Sequence, residues 1–354
     1  RKGPDSAASY LYRYPRRALS PSSIFPVERD GWEPSDDAPA RAEYAALWEV
    51  FQSALESIAP SHRKSWALWL DHFDTAWLTF THAIPSATAF GTKPDVSLYD
   101  HSKATAAIAT ALWRWHAATG ATGPDAARAM RERSDWNDEK FLLIQGDFFG
   151  IQDFIFAEGS QTRKNAAKLL RGRSFQVSLF SELAALKVLE ALSLPPTSQI
   201  TNAAGKFLIV APNTADVHRR LDEVKAEINQ WFLRHSFGLA GLGLVGKSAS
   251  CNQFLKGNFK QLIGDLFAAL EQAKLQRFNL TSNGSPVFEV DYGGGVCQYN
   301  TQLPADPALG DSSPLSRDQI VLGSALTRED RILVTTGQAD LKGANLKKLE
   351  VPIF

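Results

Sequence analysis

The stretch that decides the fold runs from residue 141 to residue 156 and reads FLLIQGDFFGIQDFIF. Its first part, Phe141–Gln145, is a short apolar run with the length and composition of a buried β-strand. The residues that follow include Asp147 and Gly150, and they predict that the strand ends in a turn. Turns that follow buried strands often carry the side chains that bind ligands.

Strand and helix patterns alternate on the C-terminal side of this stretch. An amphipathic helix is predicted over Lys164–Leu192, stopped by Pro195-Pro196, and a second helix over Asp216–His235. Three further strands are predicted, at Gln199–Asn202 on an edge, at Phe207–Val210 and at Leu239–Val245. The order β-α-β-β-α-β predicts an α+β fold with a ferredoxin-like sheet of four antiparallel strands and two helices on one face. Sheets of this order occur in RNA-binding modules, in small regulatory domains, and in the palm of polymerases and nucleotide cyclases.

The flanking sequence predicts further regions on both sides of this palm, which is assigned to residues 138–255. Residues 1–125 combine a linker rich in Pro, Ser and Arg with an all-helical region that begins near Ala40. Residues 256–319 are predicted to form a helical and loop-rich middle domain. The segment Ile320–Leu341 is rich in strand formers, so residues 320–354 are predicted to begin another domain.

Composition and charge exclude several classes of protein. The chain has 354 residues, of which 44% are hydrophobic and 21% charged, so it is not a wholly disordered chain. Its 38 Lys and Arg residues balance its 38 Asp and Glu residues, so any phosphate contact depends on a local basic patch. Two cysteines, and no apolar run of about 18 residues, predict a reduced, cytoplasmic protein without a membrane span. The chain lacks an initiator Met, which predicts that it is part of a longer polypeptide.

The palm prediction makes a demand on the chemistry. A catalytic palm holds two metal ions with carboxylates at the end of its first strand and on the turn between its second and third strands. Asp147 occupies the first position, but the turn Asn202–Lys206 reads NAAGK and has no carboxylate. We therefore expect this palm not to catalyse by itself. Each central strand has a single aromatic residue at its edge, which also argues against an RNA-recognition sheet.

Several motifs in this order resemble one protein family. The runs FLLIQGDFFGIQDFIF (141–156), AAKLLRGRSF (166–175) and AGKFLIV (204–210) are similar to the first palm of a CRISPR protein family. That family is the large signature subunit of type III interference complexes, and the likeness is closest to its Csm (III-A) form. The segment DVSLYDHSK (95–103) resembles the end of the family's HD domain.

The resemblance implies the organisation of a longer protein. In this family an HD domain precedes two palms, a middle domain that often binds zinc, and a helical C-terminal domain. The second palm bears a Gly-Gly-Asp-Asp turn and converts ATP, with Mg²⁺, into cyclic oligoadenylates when target RNA is bound. No Gly-Gly-Asp-Asp occurs in these 354 residues, and Ile320–Leu341 resembles the lead into the second palm. The implied partners are the crRNA, the target RNA, the small subunit and the subunit that binds the crRNA 5′ end.

Two groups of residues are candidates for contact with nucleotides. The first follows the first strand and includes one hairpin residue: Asp147, Phe148, Gly150, Ile151, Gln152 and Lys206. Gly150 permits close backbone approach, the ring of Phe148 suits an adenine, and Lys206 supplies a point charge for a triphosphate. Asp147 fits either a metal-ligand position or a turn. The second group is a basic run whose alternatives are phosphate or RNA contact and a solvated helix face: Arg163, Lys164, Lys168, Arg171 and Arg173.

Two further features concern metals. Asp100-His101 is a doublet of the kind that HD hydrolases use, but no His-Asp doublet is present. We therefore predict that Asp100 caps a helix, that His101 lies in the core, and that nuclease activity is absent. Cys297 lies where relatives often carry a Cys-x-x-Cys pair, and Asn300 replaces the second cysteine. A structural zinc needs four Cys or His ligands, so no zinc is expected.

The sequence leaves two hypotheses for function. In the first, the chain contributes half of the ATP pocket for cyclic oligoadenylate synthesis by a second palm that lies outside it, and no residue of this chain is catalytic. In the second, it is a catalytically silent scaffold that seats the crRNA 5′ end and neighbouring subunits. A stand-alone nucleotide cyclase is disfavoured by the hairpin that lacks carboxylates.

Overall fold

The computed structural model describes residues 16–21, 23, 38–86, 96–255, 257–276, 289–329, 332, 334, 351 and 353–354. The chain divides into two compact units. One comprises residues 1–114 and 194–200, and the other comprises residues 115–193 and 201–354. Most of the predicted N-terminal linker lies outside the described residues. No described helix is long and apolar enough to cross a membrane.

The first unit is helical, as predicted. It contains α1 (Ala38–Glu56), the single turn α2 (Pro60–Arg63), α3 (Trp66–Thr81) and the start of α4 (Leu98–Thr119). Its core forms around Leu47, Phe51 and Phe80. Phe51 makes edge-to-face contacts with Phe73 and Trp77, with ring centroids 6.4 and 5.7 Å apart. Such aromatic pairs stabilise a small helical core beyond the area that they bury.

The second unit contains the predicted palm. After α5 (Pro124–Glu132) the order is β1 (Phe141–Phe149), the short α6 (Ile151–Ile155), α7 (Ala166–Ala191), β2 (Gln199–Ala203), β3 (Lys206–Pro212), α8 (Ala215–Ser236) and β4 (Gly241–Ala249). The strands form one sheet in the order β2-β3-β1-β4. Strand β1 is antiparallel to both β3 and β4. This is the ferredoxin-like arrangement, so the predicted fold class is confirmed.

Helices cover the sheet on both faces. The ring of Phe148 contacts Phe180 of α7 and Phe232 of α8, so even-numbered residues of β1 face these two helices. The odd-numbered Asp147 instead reaches Lys274 of α9 (Asn258–Leu275), which packs against β4 and β1. Eight successive residues of β1 are therefore buried, a pattern typical of a strand between two layers. The helix assigned to a separate middle domain is thus part of the palm's packing.

The C-terminal part of the described chain adds a hairpin and a helix. Strands β5 (Val296–Cys297) and β6 (Asn300–Pro304) pair with each other, and α10 (Pro314–Ala325) packs along α7. The helices cross closely because each has a glycine there. A Cβ on Gly172 would lie 1.9 Å from the carbonyl oxygen of Gln319, and one on Gly323 would lie 1.9 Å from that of Lys168.

Helix α10 corrects one sequence prediction. Ile320–Leu341 was expected to be strand-rich, but residues 320–325 form the end of this helix. The β-branched pair Ile320-Val321 favours a strand locally, whereas the N-cap bond from Ser316 N to Ser313 Oγ and the packing on α7 favour a helix. Most of the remaining segment lies outside the described residues.

Candidate functional site

The candidate site is built around the hairpin between β2 and β3. Strand β2 ends at Ala203 and β3 begins at Lys206, so the connection has two residues, Ala204 and Gly205. Both have positive φ, +54° and +82°, as a tight turn matched to the twist of the strands requires. The Phe148 N–H donates to the Gly205 carbonyl over 2.9 Å, which ties the turn to β1. The turn therefore places no carboxylate beside the end of β1.

Asp147 is paired with two lysines. Its register partner across the strands is Lys206, whose Nζ lies 3.4 Å from Asp147 Oδ2. Lys274 of α9 donates to the same oxygen over 2.5 Å and to Glu271 Oε1 over 2.7 Å. Asp147 is buried and Lys206 is half exposed. The carboxylate near the end of β1 is thus held in ion pairs, an environment that disfavours a metal ion.

The ion pairs also shift the pKa values of Lys274 and Glu271. Burial lowers the pKa of Lys274, but hydrogen bonds to Asp147 and Glu271 outweigh it and the net pKa is raised. The hydrogen bond from Lys274 holds the pKa of exposed Glu271 below its usual value. Lys274 therefore stays charged over the whole physiological range.

The turn after β1 brings three more predicted residues beside the hairpin. Gly150 has φ +78°, and a Cβ there would lie 2.6 Å from the carbonyl oxygen of Leu239. Its close backbone approach is thus to the chain itself. Ile151 is half-buried and lies near the hairpin turn at Gly205, and Gln152 is exposed. The structure therefore gathers Asp147, Gly150, Ile151 and Lys206 around one end of the sheet.

The structure corrects the prediction that Phe148 contacts an adenine. It is 2% exposed, and its ring packs on Phe154, Phe180 and Phe232 with centroids 5.6–5.8 Å apart. Strand alternation directs it into the layer formed by α7 and α8. The ring is therefore part of the hydrophobic core and is not placed to lie against an adenine.

The basic run divides into exposed and buried members. Arg163 and Lys164 lie in a short 3₁₀ turn before α7, and Lys168 and Arg171 lie in its first two turns; all four are exposed. Arg171 Nε also donates to the Gly323 carbonyl over 3.1 Å. These four residues remain candidates for phosphate contact.

The structure also corrects the prediction for Arg173, which was placed with the residues that contact phosphate or RNA or form a solvated helix face. It is only 2% exposed. Its guanidinium donates to Gln319 Oε1 and to the carbonyl oxygens of Ile155, Ala157 and Tyr299 over 2.7–3.1 Å. Burial lowers the pKa of Arg173, and the electrostatic effect of Cys297, which raises this pKa, is smaller. Arg173 joins α7 to α10, to the β5–β6 hairpin and to the segment after β1, so its role is structural.

The comparisons with known proteins agree with this fold. A family profile described as Csm1 subunit domain B matches residues 140–287. The CRISPR system single-strand-specific deoxyribonuclease Cas10/Csm1 (subtype III-A) of Thermococcus onnurineus is 34% identical over 277 residues, which are 77% of this chain and 32% of that protein. Its counterpart in Enterococcus italicus is 28% identical over 283 residues, 77% of this chain and 36% of that protein. The chain belongs to the Cas10/Csm1 family.

Solved structures of the Cas10/Csm1 family match as well. The crystal structure of a Csm1-Csm4 cassette in complex with AMPPNP has a TM-score of 0.59 and 28% identity, covering 77% of this chain and 34% of that one. The cassette in complex with pppApA has a TM-score of 0.60 and 29% identity, covering 77% and 35%. The chain thus spans about a third of the length of the family members that it matches.

Cys297 and the Asp100-His101 doublet are the two features that the sequence raised as possible metal ligands. Cys297 is buried, and burial raises its pKa, but hydrogen bonds with Ser316, Ser313 and Tyr299 outweigh this and lower it. Over the described residues, no group of three or more His, Cys, Asp or Glu side chains is placed to hold a metal ion. The expectation that zinc is absent stays a prediction.

Asp100 and His101 begin α4. Asp100 N–H donates to Ser97 Oγ over 3.0 Å, and Ser97 Oγ–H donates to Asp100 Oδ2 over 2.8 Å, so Asp100 completes a helix cap as predicted. His101 is exposed, so its predicted place in the core is wrong. The first turn of a helix leaves this side chain on the outer face.

Lys274 is the site residue that the sequence did not indicate. It lies 127 positions from Asp147, near the end of a helix that sequence reasoning assigned to another domain. Its one local signal is Glu271, three residues earlier, with which it forms an ion pair.

Proposed function

We propose that this chain is the first-palm portion of a Cas10/Csm1 large subunit and forms one wall of an ATP pocket. A Gly-Gly-Asp-Asp palm outside this chain supplies the catalytic carboxylates for cyclic oligoadenylate synthesis. The observation that carries the proposal is the pairing of Asp147 with Lys206 and Lys274 next to a hairpin turn without a carboxylate.

The fit of these residues to Mg²⁺ is poor. Mg²⁺ takes oxygen ligands, commonly one or two carboxylates together with substrate phosphates. Asp147 and Glu271 are both paired with Lys274, and two ammonium groups already contact one oxygen of Asp147. No step is therefore assigned to a metal ion on this palm, and the metal is expected on the other one.

The same residues suit the phosphates of a nucleotide. Lys206 is half exposed, and Lys274 is shared between Asp147 and Glu271. The charges of Lys206 and Lys274 balance those of Asp147 and Glu271, so the surface that a triphosphate would meet is neutral overall. The half-exposed Lys206 would supply the contact to the phosphates. Gly150, Ile151 and Gln152 would form the adjacent wall. The family supports this role, because Csm1-Csm4 cassettes have been crystallised with AMPPNP, with one ATP, with pppApA and with cA4.

The partners of this chain are inferred from the complexes that its relatives form. Csm1 forms a subcomplex with Csm4 in the type III-A CRISPR-Csm interference complex. We propose that this chain, in its intact subunit, binds a Csm4-type partner and works with crRNA and target RNA. The exposed basic residues Arg163, Lys164, Lys168 and Arg171 are the candidate contacts for RNA phosphates. No DNase activity is expected of this chain, although its relatives are named as deoxyribonucleases.

The test replaces an exposed wall residue in the full-length subunit assembled with its partners and guide RNA. Gln152→Arg adds bulk at the proposed pocket, and Gln230→Arg makes the same change on exposed α8. Cyclic oligoadenylate is measured over a range of ATP concentrations with target RNA present. Misplacing one wall of a two-sided pocket by about 1 Å costs on the order of a hundredfold in rate. We therefore expect a large loss in Gln152→Arg and none in Gln230→Arg, with both assemblies intact by gel filtration.

Full activity in Gln152→Arg would favour the second candidate function, a scaffold. In that case Lys206→Met should also leave the use of ATP unchanged. A loss in Lys206→Met without a loss in Lys260→Met, at the far end of α9, supports the phosphate contact. Lys260 lies 14 residues before Lys274 on α9, or roughly 21 Å along a helix, so it is far from the ion pairs of Asp147.

A further inference from the structure

A cavity of about 210 Å³ lies among α7, α8 and α10 of the second unit. It is lined by Gln176 of α7, by Trp231 and His235 of α8, and by Arg317 and Asp318 of α10. Pro314, Leu315, Val351 and Ile353 complete the lining. The cavity is too small for a nucleotide and has room for one small planar group or one side chain.

The most buried polar group of this cavity has an acceptor without a donor. Gln176 is 1% exposed, and within the described residues its Oε1 has no hydrogen-bond partner. Buried polar groups in proteins are almost always hydrogen-bonded, and an unmade bond lowers stability. A ligand with an N–H group directed at Gln176 would remove this penalty.

A second acceptor of the same cavity is negatively charged. Asp318 is half-buried, and no cation of the described residues lies within salt-bridge distance of its carboxylate. Burial raises its pKa, and the charges of Arg317 and His235 only partly offset this effect. Arg317 is exposed, so its charge is largely solvated. A cation inside the cavity would meet this carboxylate directly.

Beside these two acceptors, the cavity is lined by the aromatic side chains of Trp231 and His235. The rings of Trp231 and His235 stack with centroids 4.4 Å apart and planes 15° apart. His235 Nδ1 donates to the Trp231 carbonyl over 2.9 Å, which fixes the imidazole. The stack covers one face of the indole, so a cation in the cavity would be attracted by the part of the Trp231 ring that His235 leaves open.

We propose that this cavity binds a guanidinium group. Its planar fork of N–H donors can serve acceptors on two helices at once while it lies near an aromatic face. An ammonium group matches the charge without the planar shape. An anion would meet the carboxylate of Asp318 and the unpartnered Oε1 of Gln176, which repel it. The guanidinium is either the side chain of an arginine of a neighbouring protein or a free guanidinium compound.

The test titrates N-methylguanidinium chloride into the full-length subunit labelled with 5-fluorotryptophan. The ¹⁹F signal of Trp231, identified by its loss in Trp231→Phe, reports occupancy of the cavity. We expect a saturable shift that methylammonium chloride and sodium chloride at equal ionic strength do not produce. Asp318→Asn and Gln176→Leu should each weaken binding by about tenfold or more, as loss of a charged or buried hydrogen bond predicts. Asp222→Asn, an exposed acid on α8, should bind as the unmodified protein does.

Gln176→Leu also separates a binding site from a folding role. It removes the unpaired acceptor at similar size, so its melting temperature without ligand should equal or exceed that of the unmodified protein. Equal shifts with methylammonium or sodium chloride, or unchanged affinity in both variants, would overturn the proposal. Repeating the titration on the assembled complex distinguishes the sources. Exclusion of the probe there identifies an arginine of a neighbouring protein, and unchanged binding identifies a free guanidinium compound.

Discussion

Replacing Arg173 with methionine should destabilise the palm unit strongly. The guanidinium makes four hydrogen bonds, to Gln319 Oε1 and to three backbone carbonyls, over 2.7–3.1 Å. Methionine fills part of the space of the side chain and leaves all four acceptors without this donor. Each hydrogen bond from a charged group contributes about 1.5–3 kcal/mol, and the cost of burying the charge offsets part of the sum. We expect a net loss of about 3–5 kcal/mol, the range found when one partner of a buried charged pair is removed.

The assay is thermal unfolding of the palm unit, followed by circular dichroism. One kcal/mol shifts the melting temperature of a domain of 150–250 residues by about 2–4 °C, so a fall of roughly 6–20 °C is expected. The matched control is Arg171→Met, two residues earlier on the same helix. Arg171 is exposed and, among the described residues, donates one hydrogen bond, to the Gly323 carbonyl, so its loss should cost about 1 kcal/mol or less. A melting temperature for Arg173→Met within 2 °C or so of that for Arg171→Met would refute the structural role.

Three other predictions follow from the same structure. Gly150→Ala should lower stability by more than Gly120→Ala, because both glycines have positive φ (+78° and +72°) but only the Gly150 Cβ would meet a backbone oxygen, at 2.6 Å. Equal melting temperatures of the two variants would contradict this. The raised pKa of Lys274 means that its contribution to stability is fully present below about pH 10.5 and is lost as the pH rises through the higher folded value. Lys274→Met should therefore differ from the unmodified chain at pH 9 and converge with it in more alkaline solution, as melting curves would show. Zinc, measured by atomic absorption on the purified chain, should be near zero, and one zinc per chain would contradict the cysteine argument.

Local patterns predicted most of the fold. The apolar run at Phe141, the proline stop after α7 and the glycine-spaced β4 each lie within one element, and their order was enough to indicate the ferredoxin-like sheet. The helix α10 was missed because its decisive contact is the crossing of Gly172 and Gly323, which are 151 residues apart in sequence. No local pattern reports such a distant contact.

The candidate site was only partly predictable, for the same reason. Phe148 lies four residues after Ile144, so strand alternation already placed it on the face of a buried neighbour. Arg173 lies four and seven residues before Val177 and Phe180, on the apolar side of its helix, and that spacing was a usable signal. Lys274 had no comparable signal. Its pairing with Asp147 exists only because α9 covers the sheet.

We propose that Asp147 pairs with Lys206 and Lys274 and does not hold a catalytic metal ion. The direct measurement is cyclic oligoadenylate formation by the full-length Asp147→Asn subunit, assembled with its partners, guide RNA and target RNA, with ATP and Mg²⁺. We expect activity within about tenfold of the unmodified assembly, because loss of one charged hydrogen bond and release of Lys206 alter the pocket wall only modestly. Loss of a metal-holding carboxylate removes several kcal/mol of transition-state stabilisation. A fall of about a thousandfold or more in an intact assembly would therefore show that Asp147 holds a catalytic metal ion.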